Sequence, residues 1–170
     1  MKITSITAIL FESITRRPVK QSPHLHQVEY EMRRIGMGNF LGSDKRRLTE
    51  ILDDDHELVH SIDLTHEEIA SRLEEITRAA KMNMGDRVTL ENRYQVRAEE
   101  HRGMIPCPWG HLEGLFAKSY VELKDNSTDN ILIWSDLSIH LIRKHGFYQG
   151  KGSPFRLEPK VLKQVFWSGS

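Results

Sequence analysis

The stretch that most restricts the possible folds of this chain is an amphipathic segment from His66 to about Met82. Thr65 precedes it, and Glu68 follows Thr65 by three residues. This is the spacing of a capping box, in which each side chain satisfies a free amide of the first helical turn. Apolar residues then recur with helical spacing, at Ile69, Leu73, Ile76 and Ala80. The pattern predicts one long helix with one buried face, over residues 66–82.

The segments around this helix predict a sheet and shorter helices. β-branched and aromatic residues between turn formers predict strands at 1–11, 57–64, 87–98, 114–123 and 130–134. Short helices are expected at 24–35 and 137–144, and Gly146 would end the second one. A last apolar segment covers 160–167. The sequence therefore predicts an α+β fold, with 1–170 as a single domain and a mixed or antiparallel sheet.

The length and the single cysteine narrow the class of protein. A chain of 170 residues buries enough surface to fold without disulfides. Cys107 has no partner for an internal disulfide, which is typical of a reducing compartment. No apolar run approaches the length of a membrane span, and the first twelve residues lack the pattern of a secretory signal. We therefore expect a cytoplasmic protein.

The charges cancel overall but are unevenly distributed. The 24 basic and 24 acidic side chains argue against a protein that binds nucleic acid with its whole surface. Ten acidic residues nevertheless lie between Glu50 and Ala80, and six basic residues lie between Arg143 and the end. A charged partner is therefore not excluded for one part of the surface.

The nine histidines make metal binding the first chemistry to consider, because imidazole is the commonest metal ligand. Four residues form the pattern C-x3-H, a gap of 28 residues, and H-x4-H: Cys107, His111, His140 and His145. The first pair lies in a proline- and glycine-rich knuckle, and the second lies on the short predicted helix. Two predicted strands separate the pairs, so residues 101–150 would form a ββα module that holds Zn²⁺.

The helix half of this pattern resembles that of a classical C2H2 zinc finger. An apolar residue, Leu137, precedes His140 by three positions, and His145 follows. The other half departs from the family, because His111 stands in place of the second cysteine and the connection is longer. DNA reading by a finger is therefore not implied. On an ideal helix the two histidines point about 140° apart, so both rings would have to lean toward one side.

A second metal candidate is the sequence His-Glu-Leu-Val-His at 56–60. It matches the zincin signature, in which two histidines one helical turn apart hold zinc and the glutamate activates water. Alternating apolar residues predict a strand over 57–64 instead. On a strand His56 and His60 would be about 13 Å apart and could not share an ion. If the segment were helical, Glu57 would be the base, and Glu74 or Glu75 the third ligand.

Two further patterns remain open. His24-x-His26 with Glu31 is similar to part of the first cupin motif, which requires the histidines to lie on a strand. Cys107 could alternatively serve as a nucleophile beside His101 or His111. His101 could also replace one of the four predicted metal ligands.

The function predicted from these residues is that of an intracellular zinc protein with a structural Cys/His site. The site would present a basic, aromatic C-terminal surface to a protein or, first to be tested, to nucleic acid. The rings concerned are Phe147, Tyr148, Phe155, Phe166 and Trp167. The alternative is a metal-dependent hydrolase that uses the same ligands, with Asp136, Glu113 or His101 activating water.

Overall fold

The computed structural model describes residues 23–34, 39–112 and 114–168. In chain order these residues form α1 (Pro23–Arg33), α2 (Leu48–Ser61), α3 (His66–Lys81), β1 (Val88–Leu90), β2 (Tyr94–Pro106), β3 (Leu115–Asp125), β4 (Ile131–Trp134), α4 (Asp136–His145) and α5 (Pro159–Trp167). The fold is α+β, as predicted. The strand predicted at 1–11 lies outside the described residues.

Helix α3 confirms the prediction for 66–82. The Thr65 hydroxyl accepts a hydrogen bond from the Glu68 amide, and the Glu68 carboxylate accepts one from the Thr65 amide. The predicted apolar face is buried. At its far end, the indole of Trp134 donates a 2.8 Å hydrogen bond to the hydroxyl of Thr77. This bond fixes α3 against the end of β4.

The strands form one antiparallel sheet in the order β1-β2-β3-β4. The single strand predicted at 87–98 is instead two strands that pair with each other. Glu91 and Asn92 in the turn between them both have positive φ angles, near 52°. The long β2-β3 hairpin carries an irregularity between His101 and Met104 and reaches past the rest of the sheet to the Cys107 knuckle.

The strand predicted at 57–64 is wrong, because residues 48–61 form helix α2. Its buried side chains follow helical spacing: Leu48, Ile51, Asp55 and Val59. Asp55 is tolerated in this buried face because Arg156 donates two hydrogen bonds to its carboxylate, at 2.6 and 2.7 Å. A contact from 101 residues later in the chain therefore overrides the local strand pattern.

Two apolar clusters form the core. The larger one packs one face of the sheet against α3, α4 and α5. The smaller one joins α1 and α2 to α4 and includes Cys107. Helix α4 contributes to both, with Ile139 and Ile142 in the first and Leu137 and Leu141 in the second. Among the described residues, no helix combines the length and apolar character needed to cross a membrane.

Candidate metal centre

The first pair of predicted ligands lies in the connection between β2 and β3. Cys107 directly follows β2, and its carbonyl accepts a 2.9 Å hydrogen bond from the Gly110 amide. The amide of Gly114 then bonds to the carbonyl of His111 at 3.1 Å, and the amide of Cys107 donates to the carbonyl of Gly114. These bonds fold the segment into a tight knuckle that directs Cys107 and His111 to the same side.

Gly114 is required by this close packing. A methyl group at its Cα would lie 2.6 Å from the Cβ atom of Cys107 and 3.1 Å from two ring atoms of His111. Any larger residue would therefore push the two side chains out of place.

The second pair is carried by α4. Ser135 caps the start of this helix by accepting a hydrogen bond from the Ser138 amide, and Gly146 ends it with a left-handed φ of 61°. Leu137 and Leu141 are buried. His140 and His145 lie on either side of this buried stripe and are only half-buried. Both rings can therefore reach the knuckle that covers the stripe.

The structure brings the four predicted residues together. The Nε2 atom of His111 lies 3.2 Å from that of His145 and 3.1 Å from that of His140. The Sγ atom of Cys107 lies 3.5 Å from the Nε2 atom of His145. One ligand atom from each residue lies within 4.8 Å of all the others. The cluster could therefore hold a metal ion, although the two helical histidines are not on one helix face.

Aromatic side chains hold two of the imidazoles in these positions. The Trp109 ring stacks on His145, with 4.0 Å between centroids and 7° between planes, and its edge meets Phe147. The Phe116 ring contacts His140, with 4.7 Å between centroids. Neither Trp109 nor Phe116 was among the predicted site residues. Trp109 could have been found from its place inside the Pro106–His111 knuckle, two residues before a predicted ligand.

The protonation of the cluster suits a cation. Burial first, and then the neighbouring rings of His140 and His111, lower the pKa of His145 to about 4. Its imidazole is therefore neutral at pH 7 and can offer a lone pair. Burial raises the pKa of the Cys107 thiol, so this group stays protonated until a cation displaces the proton.

The segment that carries the zincin candidate is helical. His56 and His60 lie one helical turn apart on α2, so the separation of about 13 Å expected for a strand is wrong. The Nδ1 atom of His56, however, lies 3.1 Å from the Nε2 atom of His66. Across the described residues, the Cys107 cluster is the one group of three or more histidine, cysteine or acidic side chains placed to bind an ion.

The expected third ligands of the zincin site are also engaged elsewhere. The carboxylate of Glu74 accepts a hydrogen bond from Arg143 at 2.9 Å, and that of Glu75 accepts one from Arg72 at 2.9 Å.

His66, the neighbour of His56, also contacts the core, where its Nδ1 atom lies 2.9 Å from the hydroxyl of Tyr148. The two histidines thus connect a buried tyrosine to the surface.

His101 and Asp136, two of the other candidate residues, lie apart from the cluster. His101 stacks on Tyr120, with 5.6 Å between centroids, and does not replace a ligand. The carboxylate of Asp136 accepts hydrogen bonds from Lys81 and Ser119. Glu113 lies outside the described residues. The cupin interpretation fails because His24 and His26 lie on helix α1, whereas that motif needs a strand.

The aromatic C-terminal segment is partly built into the core. Phe147 and Tyr148 are fully buried, and Phe166 packs edge-on against Tyr94. Phe147 and Tyr148 therefore serve packing. Phe155, Phe166 and Trp167 are partly exposed, and Phe166 and Trp167 also pack against the larger apolar cluster.

Comparisons with protein-family models, with curated proteins and with solved structures find no match to this chain.

Proposed function

We propose that this chain is a zinc protein in which Cys107, His111, His140 and His145 form a structural four-ligand site. The observation that carries the proposal is the set of separations between ligand atoms. Tetrahedral Zn²⁺, with bonds of about 2.05 Å to nitrogen and 2.3 Å to sulfur, places two nitrogens about 3.3 Å apart and nitrogen and sulfur about 3.6 Å apart. Three of the six separations in the cluster are 3.1, 3.2 and 3.5 Å, and all six lie within 4.8 Å.

The ligand types support zinc over the harder cations. One thiolate and three imidazoles are soft to intermediate ligands, whereas Mg²⁺ and Ca²⁺ prefer oxygen. Four protein ligands are typical of structural zinc sites, and catalytic sites keep one position for water.

The position of the site in the fold explains what the ion would stabilise. Cys107 and His111 belong to the β2-β3 connection, and His140 and His145 belong to α4. The second pair of ligands lies 29 or more residues after the first pair. A bound ion would join the end of the hairpin to the helix that contributes to both apolar clusters. This would hold the protruding hairpin in one orientation.

The alternative of a metal-dependent hydrolase receives less support. Of the three groups expected to activate water, Asp136 is held in contacts with Lys81 and Ser119, and His101 is held against Tyr120. A surface groove lies above the cluster and is lined by Gly110, His111, Leu112, His140, Lys144 and His145. Neither Asp136 nor His101 lines this groove. Asp136 and His101 are therefore not placed to activate a water molecule on an ion in the cluster.

Metal analysis of the purified protein tests the proposal. We expect one equivalent of zinc in the parent protein and substoichiometric zinc in Cys107→Ala and His140→Ala. His60→Ala is the matched control, because His60 is exposed and belongs to the competing motif. A parent protein without stoichiometric metal would contradict the proposal, and loss of zinc from His60→Ala alone would favour the zincin motif.

We further propose that a polyanion, with nucleic acid as the first candidate, contacts exposed lysines of the basic C-terminal third. Arg143 and Arg156 are both used in internal ion pairs, so they contribute little free charge. The exposed lysines are Lys144, Lys151 and Lys160. Retention on a heparin column that falls steeply with salt is expected. Elution at low salt, without dependence on these lysines, would contradict a nucleic-acid partner.

A further inference from the structure

The metal cluster forms the floor of a surface groove with a volume of about 650 Å³. Six residues line it: Gly110, His111, Leu112, His140, Lys144 and His145. Three of the four proposed ligands therefore face the groove. Cys107 is the exception, since it is 2 % exposed and lies beneath the three imidazoles.

This arrangement leaves one direction of approach to a bound ion. The buried sulfur and the three imidazoles define a tetrahedron whose triangular face of nitrogens is turned toward the groove. A ligand that enters through this face would lie opposite the sulfur, and the nitrogens would become the equatorial positions of a five-coordinate ion. Zinc can expand from four to five ligands, as it does in the transition states of some catalytic sites. No bond to a protein ligand would have to break.

The charge beside this face selects the class of ligand. Lys144 is exposed, lines the groove and directly precedes the ligand His145. The ion itself would carry two positive charges, which one thiolate only partly cancels. An anion in the groove would therefore be attracted both by the metal and by the ammonium group of Lys144.

We propose that the metal in this cluster binds a small anionic ligand, such as a carboxylate, in the groove opposite Cys107, with Lys144 as the charge partner. The proposal rests on the proposed metal site and adds a ligand to it. It requires no change in the protein ligands, and it assigns to Lys144 a role in binding the anion rather than the metal.

Cobalt(II) substitution tests the two proposals separately. The protein is first loaded with Co²⁺, and the bound metal is counted. One equivalent, with the intense visible absorption of four-coordinate cobalt, is the expected start. Azide and then acetate are added as small anionic probes. We expect a saturable weakening and shift of the visible bands, without release of cobalt.

Variants then assign the anion site. Lys144→Gln is expected to weaken azide binding by about two- to fivefold, which is the range for a partly exposed ion pair. Its cobalt affinity should be unchanged. Lys160→Gln is the matched control, because Lys160 is exposed on α5 and does not line the groove.

Three results would overturn the inference. A spectrum that stays unchanged with one equivalent of bound cobalt would show that the site is closed, and would leave the proposed metal site intact. Release of cobalt by azide would show displacement instead of addition. Equal azide affinities for the parent protein and Lys144→Gln would remove Lys144 from the site. Failure to bind any cobalt would instead overturn the proposed function, and the anion site with it.

Discussion

At the scale of single residues, the knuckle requires glycine at position 114, because there is no space there for a larger side chain. Alanine at position 114 would place a carbon 2.6 Å from the Cβ atom of Cys107. We expect Gly114→Ala to weaken zinc binding more than tenfold, as measured by competition with a chelating dye. Gly110→Ala is the comparison, because its added carbon meets no atom within 4 Å. It should cost about 1 kcal/mol of stability through its positive φ while largely keeping the metal. Equal loss of metal in both variants would contradict the steric argument.

The contribution of the single residue Asp125 to folding stability should depend on pH. Hydrogen bonds from Arg93 lower the pKa of this buried carboxyl to about 2, and those from Thr128 and Ser127 add to the effect. A carboxyl with a lowered folded pKa adds stability above its ordinary pKa of 3.8, and that stability is lost as the pH falls toward 2. Asp125→Asn should therefore cost about 1–2 kcal/mol at pH 7. The difference from the parent, measured by urea unfolding, should shrink between pH 4 and pH 2. A constant difference would contradict the assignment.

At the scale of elements, the cap of α4 affects the site because both helical ligands depend on this helix. The Ser135 hydroxyl accepts a hydrogen bond from the Ser138 amide, as Thr65 does from Glu68 at the start of α3. Ser135→Ala and Thr65→Ala should each lower the free energy of unfolding by about 1 kcal/mol. Only Ser135→Ala should also reduce zinc affinity, since α3 carries no ligand. Urea unfolding and zinc competition measure the two effects, and equal zinc affinities would contradict the expected link.

The elements also show which predictions local sequence could support. Helices α3 and α4 were predicted because their signals, a cap at one end and a regular apolar stripe, lie within the segments themselves. Helix α2 was not predicted, because the alternation through Leu58, His60 and Ile62 imitates a strand. In addition, Asp55 is compatible with a buried helix face only through its hydrogen bonds from Arg156. The cysteine and histidine cluster could be predicted from spacing. The rings that hold it, Trp109 and Phe116, required the fold.

At the scale of the whole molecule, ion pairs within the chain offset part of its uneven charge distribution. Arg143 in the basic end bonds to Glu67 and Glu74 in the acidic middle, and Arg156 bonds to Asp55. The two regions that could have attracted separate partners thus neutralise each other in part.

The Arg156 pair is the buried one, with exposed side-chain fractions of 10 % for Arg156 and 3 % for Asp55. Removal of Arg156 leaves the buried Asp55 without its counterion, and removal of Asp55 leaves Arg156 only its pair with the more exposed Glu158. Asp55→Ala and Arg156→Ala should each cost about 3 kcal/mol in urea unfolding, and the double variant should cost clearly less than their sum. The half-exposed Arg143 supplies the control, since Arg143→Ala should cost less than about 1 kcal/mol. Additive losses for the buried pair would contradict the coupling.

The proposed ion should stabilise the whole molecule because its ligands come from two distant segments of one cooperative unit. A ligand at about 100 times its dissociation constant stabilises the folded state by about 2.7 kcal/mol. For a chain of this length, each kcal/mol corresponds to about 2–4 °C in Tm. Removal of zinc with EDTA should therefore lower Tm by about 5–10 °C, and restored zinc should reverse the change. Cys107→Ala should unfold at one temperature with or without EDTA. Because α4 contributes to both apolar clusters, the metal-free protein should still unfold in one transition. An unchanged Tm after complete removal of the metal would mean that the hairpin is held to α4 by the packing of Trp109 and Phe116 alone.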